Sequence, residues 1–214
     1  MMRTLLLSAL ICASLPALAD DDISKVNGSI NVQSGQNAGE LDTVNGSIRV
    51  GDGATVTDAE TVNGSVNIGS DVKIESISTV NGGVDVGART RVSKDIEAVN
   101  GRVNLAEGVE VQGAVENVNG DIRLGKAHVV GHLKTTSGNI QVGADSRVDG
   151  GILVEKPSGW FSSSSKTPRI EIGPRAVIGG TLEFRRDVEL YVSDSATIGN
   201  VIGATAKKFS GDRP

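Results

Sequence analysis

The stretch Thr43-Val44-Asn45-Gly46-Ser47-Ile48-Arg49-Val50-Gly51 is answered one repeat later by Thr61-Val62-Asn63-Gly64-Ser65-Val66-Asn67-Ile68-Gly69. Its tripeptide signature occurs as Val26-Asn27-Gly28, Val44-Asn45-Gly46, Val62-Asn63-Gly64, Val80-Asn81-Gly82, Val99-Asn100-Gly101 and Val118-Asn119-Gly120, with a degenerate copy at Thr136-Ser137-Gly138. Copies are eighteen residues apart, and nineteen apart from Val80 to Val99 and from Val99 to Val118. A fixed period of this size marks a solenoid, in which each short unit buries its apolar side on the next.

Within each repeat, short runs of β-branched residues alternate with polar ones and end in Gly, Asn or Asp, the pattern of strands joined by tight turns. No stretch beyond the first residues carries a helical period, so the fold class is all-β. A finer beat of six residues links Val44, Val50, Val56, Val62, Ile68, Ile74, Val80, Val86 and Val92. It resumes at Val99, Leu105 and Val111, again at Val118, Leu124 and Val130, and continues through Val142 and Val148. Three six-residue faces per coil predict a single-stranded β-solenoid of triangular cross-section, with this column of aliphatics pointing into the bore. Ile48, Val66, Val84, Val103, Ile122 and Ile140 supply a second inward residue on one face. Coils stacked at ~4.8 Å make a rod of about 45 Å, and either handedness carries the pattern.

The Asn-Gly pairs fit a corner. Glycine supplies positive φ for a tight turn, and Asn27, Asn45, Asn63, Asn81, Asn100 and Asn119 at one corner of successive coils form a hydrogen-bonded ladder. The other reading of the same row is a repeated ligand site. The threonines at Thr43, Thr61, Thr79 and Thr135 line up similarly, but Ala98 and Asn117 interrupt them, which argues against a flat threonine array.

The chain begins with Arg3 after two methionines, an apolar run from Leu5 to Ile11, and Ala17-Leu18-Ala19. This is the plan of a secretory signal peptide over residues 1–19, too short to span a bilayer. The protein is therefore expected to be exported, to the periplasm or to the cell surface and exterior, without a transmembrane segment. The single cysteine, Cys12, leaves with that leader, since Ile11 stands where lipid attachment needs a small residue. The formal net charge is −5, and −6 once Arg3 is removed. With no basic run, one Trp and one Tyr, the chain lacks both the phosphate-neutralising stripe and the stacking aromatics of a nucleic-acid binder.

The regular solenoid is expected over residues 20–154. Residues 155–168 break the beat and read as a projecting loop holding Trp160 and Phe161, which either contact a partner or fold back on the rod. Divergent coils follow over 169–206 and a tail over 207–214. There Phe184, Tyr191 and Phe209 are expected to plug the last coils, whereas nothing comparable closes the first one.

Catalytic signatures are missing. His128 and His132 are four apart in a β context, with no third ligand column to make a metal site. Asp85, Asp121 and Asp145 fall on scattered columns rather than in a convergent acidic pair. No phosphate loop or nucleophile elbow occurs, so neither an enzyme nor a cofactor is expected. The partners that remain are a second copy meeting the coil ends, giving an oligomer or polymer, and an envelope or host glycan.

The unit Val-Asn-Gly-Ser-Ile-x-Val-Gly, as in residues 44–51 and 62–69, resembles that of the bacterial adhesin family built from β-strand repeats. The six-residue faces and aliphatic bore also resemble the bactofilins, polymer-forming proteins of the cytoskeleton, though the leader departs from their usual cytosolic setting. The likeness covers residues 24–154 and more loosely 168–205. It implies a non-enzymatic structural or adhesive β-solenoid and brings no catalytic residue with it.

Overall fold

A computed structural model describes residues 21–157 and 166–214; the leader at 1–19 and the Trp160-Phe161 pair lie outside the described residues. All strand pairings are parallel, in one ten-stranded and one sixteen-stranded sheet, and no helix occurs among the described residues. The ten-stranded sheet stacks Ile30–Val32, Ile48–Val50, Val66–Ile68 and their successors up to Glu189–Ser193 and Ala206–Phe209. At ~4.8 Å per step the rod is about 43 Å long. The final strand carries the last coil beyond residue 206, three residues into the segment read as tail.

Register follows the repeat. Ile48 pairs with Ile30 on one side and Val66 on the other, so each residue stacks on its own equivalent. The sixteen-stranded sheet wraps the other two sides. In the early coils those two sides run as one nine-residue strand, as in Thr55–Asn63 and Lys73–Asn81. One coil later the strand splits into Arg91–Val92 and Ile96–Asn100. The cause is a single extra residue. Val92 pairs with Ile74 but Ile96 with Ile77, so Ser93-Lys94-Asp95 spans what Glu75-Ser76 spanned before. The nineteen-residue steps are this corner, which the next coil repeats between Val111 and Val115.

Each coil buries about six side chains; Val66, Ile68, Val72, Ile74, Ile77 and Thr79 form one such layer. Burying each aliphatic contributes ~1.5–3 kcal/mol, available only while a neighbouring coil covers it.

The six-residue beat assigns the valine of Val-Asn-Gly to this core, and the structure overturns that assignment. Val26, Val44, Val62, Val80, Val99 and Val118 face outward, between 37% and 68% exposed, and Val130 is exposed too. The inward places belong to Leu41, Ala59, Ile77, Ile96 and Val115, each three residues before the valine, and to the threonine before it. Strand alternation explains the change. Between Val56 and Ala59 two residues in succession, Thr57 and Asp58, stay out of the core. That shifts the parity by one, so Thr61 lands inside and Val62 outside.

The glycine of the motif also has a different reason from the expected one. Within this column only Gly28 and Gly120 adopt positive φ. At Gly64 an added Cβ would sit 1.9 Å from the carbonyl oxygen of Gly46 one coil below. The demand for positive φ falls at another corner, occupied by Gly53, Asp71, Arg89, Gly108, Lys126, Asp145 and Arg175 in successive coils.

At the far end Phe184 is buried, but Tyr191 is no plug: it lies on the outer surface between Arg169 and Lys207, whose cationic groups are 4.4 and 5.3 Å from its ring centroid. Replacing Gly64 with Ala is expected to cost about 1–3 kcal/mol, since backbone rather than a side chain must yield. Ser65→Ala should stay within about 0.5 kcal/mol. Urea denaturation followed by circular dichroism compares the two.

Candidate functional site

The motif builds one continuous surface strip. Its strands are Ile23–Asn27, Asn37–Asn45, Thr55–Asn63, Lys73–Asn81, Ile96–Asn100 and Val115–Asn119, stacked in register. Because side chains alternate, Thr43, Thr61 and Thr79 point inward. Each donates its hydroxyl to the glycine carbonyl of the coil below, at 3.1, 2.9 and 3.0 Å. This threonine row is thus buried and offers no surface array.

Three rows face outward. The first is the corner asparagines. Each Nδ2 donates to the Oδ1 of the asparagine below, at 3.0 Å in all five steps from Asn27 to Asn119. With amide bonded to amide, the row spends much of its polarity along the axis. The second row is the valines. The third holds Ser24, Asp42, Glu60, Ser78, Glu97 and Glu116, two residues before each valine.

Charge is distributed unevenly round the rod. Near the positive-φ corner and the neighbouring side, acids and bases of successive coils pair: Asp71 with Arg89 at 2.6 Å, Glu75 with Lys94 at 2.6 Å, Glu107 with Lys126 at 2.8 Å and Asp145 with Arg175 at 2.7 Å. Hydrogen bonds from Arg89, Lys126 and Arg175 hold the carboxyls of Asp71, Glu107 and Asp145 below their ordinary range. On the valine strip, by contrast, Glu40, Asp42, Glu60 and Glu97 have no ion-pair partner among the described residues. The charge of Asp42, with some loss of solvation and then Asp22, Asp58 and Glu60, raises the carboxyl of the exposed Glu40 above its ordinary value. A groove of about 450 Å³ opens here, lined by Val26, Val44 and Val62, by Glu40, Asp42 and Glu60, and at its first coil by Lys25, whose Nζ donates to the Ser29 carbonyl at 2.8 Å.

The remaining polar residues do not converge. His128 Nε2 lies 2.8 Å from Asp149 and His132 Nε2 3.0 Å from Glu116, so the two histidines serve different carboxylates. Among the described residues no group of three or more His, Cys, Asp or Glu is placed to hold a metal ion. Nor is any helix there long and apolar enough to cross a membrane. A second, wider groove of about 620 Å³ runs along the ten-stranded sheet, beside Asn67, Asp85, Asn104, Arg123 and Gln141.

The strip escapes the six-residue beat, yet a signal for it was present. Leu41, Ala59, Ile77, Ile96 and Val115, each three before a motif valine, form an apolar column that competes with the valines for the bore. In class the molecule is a parallel single-chain β-solenoid. A scan against protein-family models, a search of curated proteins and a search of solved structures found no match.

The raised Glu40 carboxyl implies that the folded state binds this proton more tightly than the unfolded chain does. The acidic cluster therefore opposes folding above the carboxylate range, and that opposition fades as pH falls through it. The ion-paired Asp71, Glu107 and Asp145 behave oppositely, losing their contribution as pH falls. Asp42→Asn is expected to bring the Glu40 titration down toward its ordinary value, read by carboxyl-carbon NMR; an unmoved Glu40 contradicts the assignment of Asp42 as the main cause.

Proposed function

We propose that this chain is an exported, non-enzymatic structural or adhesin-like β-solenoid that associates end to end. The observation that carries the reading is the pair of open coil ends. Among the described residues, Ile23–Asn27 and Ile30–Val32 pair on one side only, and so do Thr197–Ile198 and Ala206–Phe209. Such edges present unused backbone donors and acceptors that template another parallel strand. The ends also differ in charge: Asp21 and Asp22 precede the first strand, and Lys207 and Lys208 lie in the last. A head-to-tail contact between unlike ends does not close on itself, so it generates filaments. Export rests on the leader pattern at residues 1–19.

Sedimentation velocity over a concentration series tests this reading. The sedimentation coefficient is expected to rise with concentration, and Lys207→Glu with Lys208→Glu to suppress the rise. A monomer at every concentration, with no fibres by electron microscopy, removes end-to-end association.

The wider groove favours a second reading, a glycan-binding module of the cell envelope. Amides and a guanidinium at one side chain per coil suit the hydroxyls of a linear sugar chain, and the sequence offers Trp160 and Phe161 as candidate aromatic contacts. A glycan array is expected to show binding lost in a Trp160→Ala, Phe161→Ala, Asn67→Ala variant. Signal equal in variant and parent, or absent from both, rejects it.

A further inference from the structure

The outward valines are not explained by the fold. A strand needs a β-branched residue at that position, not the same one six times, and Thr or Ile would serve as well. The buried neighbour varies: Thr43, Thr61 and Thr79 become Ala98 and Asn117, while exposed Val44, Val62, Val80, Val99 and Val118 stay valine. An exposed position more uniform than the buried one beside it is constrained from outside the rod.

The parallel row changes at the same place. From Ser24 to Glu116 it carries only neutral or acidic side chains, and the next coil brings Lys134 opposite Glu116. There too the valines give way to Thr136. Two independent rows thus begin and end together, outlining one footprint of five coil steps, about 24 Å long at ~4.8 Å per step. Valine and acid rows are two residues apart along the strand, roughly 6.6 Å.

We propose that this strip docks a cationic polypeptide segment, apolar along one edge, lying along the rod with its apolar side chains on the valines and its Lys or Arg side chains on Glu40, Asp42, Glu60 and Glu97. Charge complementarity selects this occupant. Those carboxylates have no basic partner among the described residues, unlike the paired acids near the positive-φ corner. A second copy packed face to face brings acid onto acid, and an anionic lipid surface is repelled in the same way. A partner cation relieves the repulsion that raises Glu40. A segment of about 16 residues covers the footprint as a helix, at 1.5 Å per residue, and about seven cover it as a strand.

The test uses the purified protein and a labelled synthetic 16-residue peptide, with leucines along one helical stripe and lysines flanking it, read by fluorescence anisotropy. A glutamate-for-lysine version is the control peptide. Val44→Thr, Val62→Thr, Val80→Thr keeps the β-branching and the fold, checked by circular dichroism, and is expected to weaken binding at least tenfold. Asp42→Asn with Glu60→Gln is expected to do the same, whereas Glu107→Gln with Glu110→Gln, which removes equal charge elsewhere, should change it less than twofold. The proposal is overturned if the lysine peptide does not bind, if both acid doubles weaken it equally, or if the valine triple binds like the parent. Lateral dimers that the valine triple abolishes also overturn it, assigning the strip to a second copy.

Discussion

Everything in this rod depends on how closely one Asn-Gly corner sits on the corner beneath. The motif glycines approach the carbonyl below so nearly that no side chain fits between them. With that contact made, the asparagine amides meet at 3.0 Å and the threonine hydroxyls reach the same carbonyls. The three residue types are one device. Glycine admits the approach, asparagine bonds along the outside, and threonine satisfies on the inside a carbonyl that would otherwise be buried at a cost of ~1–3 kcal/mol. Like stacks on like because a slip of one residue breaks all three together.

A locked corner decides where irregularity is tolerated. The extra residue behind the nineteen-residue steps enters at Ser93-Lys94-Asp95, on the opposite turn, where it converts a continuous nine-residue strand into two short ones. The segment between Val154 and Arg169 falls at the Asn-Gly corner itself, but beyond the last rung of the asparagine ladder at Asn119, and Ile140 still pairs with Ile170 directly across it. In both places the inward layer stays in register, since a close-packed layer tolerates no extra residue.

The surface divides into regions of unlike chemistry. Where acid and base alternate from coil to coil, the charges bridge neighbouring turns and leave little net field. On the valine strip Asp42, Glu60 and Glu97 lie beside apolar side chains with no basic partner among the described residues, Lys25 bonding instead to the Ser29 carbonyl, and this arrangement adds nothing to the stability of the rod. Exposed ion pairs contribute only ~0–1 kcal/mol each, so their arrangement matters more for solubility and recognition than for folding.

The sequence by itself determined the architecture. A period of eighteen, β-branched alternation and a recurrent Asn-Gly corner admit a stacked parallel coil, because nothing else buries such short apolar runs. It also marked Ile48, Val50, Val56 and their equivalents as core, and marked where the coils diverge after Val154. Only the tertiary structure decided which face each residue of the third side presents. Ala59 and Val62 are both apolar and three apart, and in a strand of strict alternation one must face out; two successive residues outside the core, Thr57 and Asp58, put Ala59 and Thr61 inside. Parity across a bend is set by how the bend packs on the coil beneath, and no pattern within one repeat records that. The valine strip, and with it the contrast between paired and unpaired carboxylates, exists only once the coils are stacked.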